Sequence, residues 1–113
     1  MIEQAWQDDF SGAVTVCSAD GTIIYMNKKS VETFEKYGGK ELVGTNVLDC
    51  HPEPARKKLE EMLASGEKNA YTIEKNGIRK LIYQAPWYQS GKCCGFVELS
   101  LEIPREIQNY SRE

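Results

Sequence analysis

With 113 residues, 14 Lys plus Arg against 17 Asp plus Glu and a net charge of −3, the chain is the size of one mildly acidic domain. A chain of this length buries roughly two-thirds of the surface it exposes when unfolded, enough for one core and no second domain. Its charges are interspersed, so no basic stripe invites a phosphate backbone or an anionic bilayer, and the expectation is no nucleic acid and no membrane partner. Neither a long apolar segment nor a basic-then-apolar leader occurs, which reads as a cytoplasmic chain. The four cysteines are Cys17, Cys50, Cys93 and Cys94. The adjacent pair suits no ordinary secreted disulfide framework, so reduced thiols are expected.

In chain order, Ile2, Ala5, Trp6 and Phe10 space an apolar stripe along a short N-terminal helix that wants a partner surface. Ala13 to Asn27 then reads as two short strands joined at Asp20-Gly21, a pair suited to the positive φ of a tight hairpin turn. Asn27 follows, and its side-chain oxygen is placed to accept from the free amides of a helix start. Val31, Phe34 and Tyr37 lie about one turn apart, with Gly38-Gly39 as a left-handed stop. A loose stretch leads to Pro52 and Pro54, which open the most secure helix. Its residues Ala55, Leu59, Met62 and Leu63 share a face, and Gly66 lies just past its end.

From Asn69 the period becomes alternating. Ala70 to Lys75, Arg79 to Trp87 and Cys94 to Ile103 read as three strands, joined at Asn76-Gly77 and Ser90-Gly91 into an antiparallel meander. Pro86 cannot donate to a ladder, which marks an edge or an irregular spot. Alternation places Leu81, Tyr83 and Ala85 on one face and Ile82, Gln84 and Pro86 on the other, both partly apolar. The same rule sends Cys93 and Cys94 to opposite faces. Two strands, short helices and three more strands make an α+β fold, a five-stranded antiparallel sheet with helices across one face.

No catalytic constellation stands out. Asp8-Asp9 and Glu60-Glu61 are adjacent and read as solvated faces rather than an acid and base set across a substrate. His51, the only histidine, has no elbow or oxyanion turn near it, and the glycines lack the strand-to-helix setting and lysine of a phosphate loop. Cys93-Cys94 with Cys50 and His51 lacks the two-to-four-residue spacing usual for structural zinc. The expectation is a protein that is not an enzyme.

Three segments carry a resemblance: Ser-Ala-Asp-Gly-Thr-Ile-Ile-Tyr-Met-Asn at 18–27, Glu-Leu-Val-Gly at 41–44 and Ser-Gly-Lys-Cys-Cys-Gly-Phe-Val-Glu at 90–98. In this order and spacing, and with Leu-Glu-Ile-Pro at 101–104 where the last strand would pass into a linker, the chain resembles the PAS domain family. The implied layout is an N-terminal helix over 1–11, a sensory domain over 12–104 and a tail or linker over 105–113. The family implies a signal-sensing module whose sheet curls around a small cavity and which signals through terminal segments, a homodimer or an effector protein. One fold hosts many ligands, so the site decides the function.

The cavity residues implied are His51, Cys50, Tyr83, Met62 and Phe34. Haem-bearing members carry a histidine on or near this helix, which makes His51 a candidate iron ligand and haem a candidate cofactor. On its own, His51 reads as an exposed or capping loop residue, and Cys50 as a small buried thiol. The cysteine of the flavin-binding light-sensing branch is absent: Gly44-Thr45-Asn46 is followed by Val47. Ile2, Trp6 and Phe10 are the expected interface. The alternatives left open are a ligand-free interaction domain and a haem sensor of gas or redox state.

Overall fold

Asn27 ties three segments together. In the computed structural model, which describes residues 5–51 and 53–113, its side chain is 2% exposed and fully hydrogen-bonded. Its Oδ1 accepts from the backbone amides of Val14 and Ser30, both at 2.9 Å, so one oxygen secures a strand and caps a helix. Its amide group donates to the carbonyls of Gln7 at 2.8 Å and Gly12 at 2.9 Å. The strands so joined are β1 (Ala13–Ser18) and β2 (Ile23–Met26), and the capped helix is α1 (Lys28–Thr33).

The β1–β2 turn differs from the two-residue form expected. Ser18 N donates to Thr22 O, so three residues form the loop, and only Gly21 takes a left-handed backbone, at φ 91°. The Asp20 carboxylate accepts from the Ser18 hydroxyl and from Thr22 N, and these bonds hold its pKa below the usual carboxylate value. A three-residue loop closed by one left-handed glycine is the next commonest hairpin connection.

Helix α1 is also shorter than its spacing predicts. It stops at Thr33 and gives way to 3-10 turns at Glu35–Tyr37 and Gly39–Leu42, separated by left-handed Gly38. A further 3-10 turn, Val47–Cys50, is capped by the Asn46 side chain. The second helix, α2 (Ala55–Ser65), ends at Gly66 as expected. Three long strands complete the fold: β3 (Asn69–Lys75), β4 (Ile78–Gln89) and β5 (Lys92–Ile103).

The five strands form one antiparallel sheet in the order β2-β1-β5-β4-β3. Ladder partners share a face, which puts Cys17, Phe96, Ile82 and Gln84 on the side covered by the helices. The main core cluster lies there: Cys17, Phe96 and Met62 of α2 are buried together, with Val47 and Leu63 against them. Pro86 is not on an edge strand, but β3 ends opposite Gln84, so β4 has no neighbour on that side beyond this point. A missing N–H costs nothing where no acceptor faces it.

Cys93 and Cys94 depart from simple alternation. Tyr88 pairs with Cys93 and Trp87 with Gly95, so Cys94 is the extra residue of a β-bulge. Neither thiol is buried, whereas Cys17 is, and burial pushes the Cys17 thiol pKa up. Gly95 serves the same irregularity. Its φ is 142°, and a Cβ there would stand 1.9 Å from the Cys17 carbonyl oxygen, which accepts from Trp87 Nε1.

At the N-terminus, Trp6–Asp9 forms one 3-10 turn with Phe10 just beyond, rather than a helix carrying the whole stripe. Ile2 lies outside the described residues. Trp6 packs edge-to-face on Phe10, with ring centroids 5.6 Å apart, yet remains 62% exposed. The Tyr25 hydroxyl donates to the Asp8 carboxylate and gives this segment a second anchor beside Asn27.

Asn27→Leu strands buried amides at Val14 and Ser30, and a urea titration is expected to show a loss of about 3 kcal/mol. Asn27→Asp keeps both acceptor bonds but sets a carboxylate against the carbonyls of Gln7 and Gly12, so hydrogen exchange should accelerate over residues 5–12 while α1 stays protected. Partial burial, then the Asp8 hydrogen bond and the charges of Asp8 and Asp9, push the Tyr25 pKa up to about 12. Above the ordinary value of roughly 10 the unfolded chain releases this proton while the folded one keeps it, so stability falls between pH 10 and about 12. The urea midpoint of Tyr25→Phe should fall less steeply over that window.

Candidate functional site

A cavity of about 220 Å3 opens between α2 and the β3 side of the sheet. Its helix wall is His51, Ala55, Lys58, Leu59 and Met62, and its sheet wall is Asn69, Tyr71 and Gln84. The walls differ because the two elements differ in pattern. Positions 55, 59 and 62 fall at helical spacing and carry one apolar stripe toward the sheet. Asn69, Tyr71 and Gln84 share the inner face because Asn69 pairs with Gln84 and Tyr71 with Ile82.

A polar row crosses this inner face. Asn69 Nδ2 donates to Gln84 Oε1 at 3.2 Å, and Gln84 Nε2 donates to Glu98 Oε1 at 2.6 Å. Glu98 pairs in turn with Thr15, whose hydroxyl meets that of Ser30 at 2.6 Å. Tyr71 is 44% exposed at the cavity. Burial, and then the negative charge of Glu98, raise its pKa.

At the opposite wall, His51 Nδ1 lies 2.6 Å from the carbonyl of Val47. A carbonyl only accepts, so Nδ1 carries the proton and Nε2 of the neutral ring is left with its lone pair. The same orientation is the usual preparation of a metal-ligating imidazole. The rest of the cavity does not fit a haem. At about 220 Å3 it is smaller than the roughly 300–1,000 Å3 of pockets that enclose drug-sized molecules, and its far wall is a hydrogen-bonded amide row rather than an apolar slot. Among the described residues no three His, Cys, Asp or Glu side chains gather at metal-binding distance.

His51 and Met62 line this cavity, while two other residues assigned to it from the sequence lie elsewhere. Tyr83 pairs with Ala70 and Leu99, on the face of the sheet opposite to Gln84. Phe34 follows α1 and does not contribute to either wall. The side chain of Cys50 lies outside the described residues. The polar row was missed, although its signal is present: Gln84 and Glu98 interrupt apolar positions on strands whose neighbours Ile82 and Phe96 are buried. A larger hollow of about 280 Å3 near Phe10 is walled by Asp9, Lys28, Lys29 and Glu32, a balanced set of surface charges.

The opposite face of the sheet carries Val16, Leu81, Tyr83, Val97, Leu99 and Leu101, all half-buried. No helix of the described residues is long and apolar enough to cross a membrane.

Known structures share this architecture. The Aer2 receptor from Vibrio cholerae, described as a dual PAS-heme oxygen sensor, is 16% identical with a TM-score of 0.62, over 83% of this chain and 96% of that one. A sensory box sensor histidine kinase from Vibrio cholerae is 18% identical with a TM-score of 0.59, over 86% of each chain. VqmA from Vibrio cholerae, a dimeric LuxR-type receptor with a target DNA, is 14% identical with a TM-score of 0.60, and the match spans 86% of this chain but 48% of that one. These identities carry the fold alone. No protein of curated function matches the chain. The PAS domain family, however, matches residues 11–81, more than half of the sequence and all of it from the start of β1 to the first residues of β4. The chain belongs to the PAS domain family.

Proposed function

We propose that this PAS domain is a sensory module that takes a small molecule into the cavity between α2 and the sheet and reports its presence through a dimer. The observation that carries the reading is the two-sided cavity wall, an apolar helix stripe facing a hydrogen-bonding sheet row. Specific small-molecule sites combine these features, burial for affinity and a few placed polar groups for orientation. Among the described residues, no set of side chains with a nucleophile, base and oxyanion partner accompanies it, which supports a binding rather than a catalytic role. The net charge of −3 supports protein rather than nucleic acid as the partner of this unit.

The second surface supports the dimer. Val97, Leu99 and Leu101 on β5 and Leu81 and Tyr83 on β4 make a continuous apolar strip, with no helix over it among the described residues. A contiguous apolar face left half-exposed on a small domain marks an interaction site. The exposed Trp6 stands ready to extend such a contact.

Native mass spectrometry of the purified protein tests the cavity. A co-purifying small molecule is expected on the parent chain and is lost from Leu59→Trp, which fills the space from the helix side while thermal unfolding stays cooperative. An empty parent chain that no metabolite mixture stabilises would leave an interaction-only domain. Haem is read separately: a Soret band that disappears in His51→Ala would establish iron ligation against the present reading. For the dimer, Leu99→Asp is expected to halve the sedimenting mass with little change in far-UV circular dichroism.

A further inference from the structure

The sheet wall of the cavity has its hydrogen-bond polarity fixed from behind. A carboxylate oxygen only accepts, so Gln84 turns its NH2 group to Glu98, at 2.6 Å, and is left with Oε1 toward Asn69. That oxygen also only accepts, so Asn69 turns its NH2 group to it, at 3.2 Å. Rotating either amide by half a turn would set acceptor against acceptor or donor against donor. Among the described residues, Asn69 then has its Oδ1 and its second amide hydrogen without a protein partner, on a residue that lines the cavity. The Tyr71 hydroxyl lies two residues along the same strand face.

The charge behind this wall limits what can approach it. Glu98 is the residue whose negative charge reaches Tyr71, and it stands one ladder position beyond Gln84. An anionic group pressed against Asn69 meets that field, while Lys58, the cation of the opposite wall, is exposed at the rim. A purely apolar molecule leaves the Asn69 edge unpaired, which costs about tenfold or more in affinity. An adjacent acceptor and donor on the ligand satisfies it. Carboxamide side chains make this two-point pairing with the edge of adenine in nucleic-acid recognition, and the geometry transfers to any ring carrying the same edge.

We propose that the cavity binds a small uncharged ring with an amide-type edge, of the lactam or pyridone kind, paired to Asn69 and lying with its apolar side on Leu59 and Met62. The assignment rests on the reading of this cavity as the sensing site. Gln84 and Glu98 act as positioning residues, which hold the polarity of Asn69 without touching the ring.

The test is a titration of the full 15N-labelled chain, followed by amide chemical shifts, with 2-piperidone, cyclohexanone and cyclohexanecarboxylate. The three probes share a six-membered ring and differ in the edge they offer. 2-Piperidone is expected to half-saturate at a concentration about tenfold or more below the other two and to shift the Asn69 side-chain NH2 signal. Asn69→Leu, or Asn69→Asp if the first does not fold, should erase that preference. Tighter binding of the ketone or the carboxylate with shifts at Leu59, Met62 and Tyr71 would overturn the ligand class and leave the cavity as a binding site. No shift at those residues with any probe would overturn both.

Discussion

The buried amide of Asn27 is the constraint on which the first third of the domain depends. A short hairpin, a six-residue helix and an N-terminal segment with one 3-10 turn have little stability individually, since an isolated hairpin or helix of that length is marginal in water. Four hydrogen bonds from one side chain replace what each lacks: a ladder partner for Val14, a cap for α1 and donors for the carbonyls of Gln7 and Gly12. Burial makes the arrangement selective. An amide so enclosed is worth keeping only when every one of its groups is paired, and here every one is.

The inner face of the sheet repeats this logic on a larger scale. Asn69, Gln84, Glu98, Thr15 and Ser30 run across it as a polar row, with the apolar cluster of Cys17, Phe96 and Met62 on one side. A uniformly apolar face would close onto α2 and leave no room. Because the row must be hydrogen-bonded rather than merely covered, α2 cannot press onto it at the β3 end, and the cavity is the space this leaves. The row ends at Ser30, whose own backbone amide is held by Asn27. The cavity and the N-terminal segment are thus attached to the two ends of one sheet face.

What the sequence disclosed, and what it did not, follows from the range of the forces involved. The five strands, the long helix and the Asn27 cap are written locally, in alternation, helical spacing and a polar residue before a helix start. The family resemblance rested on the same segments. Boundaries slipped where tertiary contacts outweighed local preference: α1 stops at Thr33, just before Phe34 and a full turn short of Tyr37, and the N-terminal stripe makes only one 3-10 turn. The side of the sheet on which Tyr83 falls was legible as a parity, but which parity faces the helices was not. That choice is made by the burial of Ile82 and Phe96 on the helix-covered face, Phe96 against Met62 of α2, a contact between residues far apart in the chain. The bulge at Cys94 interrupts the alternation on which the expectation for the paired cysteines was built, and it adjoins Gly95, where a Cβ would stand 1.9 Å from the Cys17 carbonyl oxygen.

Met62 is the residue through which occupancy of the cavity and integrity of the core meet. It is 3% exposed, belongs to the cluster with Cys17 and Phe96, and also lines the cavity. A thioether side chain is flexible and fills irregular space, so it can repack against an incoming ring at small cost where a branched side chain could not. Cys17 lies on β1, whose other end is held by Asn27, and Phe96 lies on β5, which carries the apolar strip on its reverse side. A molecule entering beside Met62 would therefore bear on β1 and β5 rather than on a peripheral loop, and any stabilisation it brought would rise with the logarithm of its free concentration over its dissociation constant. Of these two strands, β5 also carries Val97, Leu99 and Leu101, the surface proposed above for a dimer.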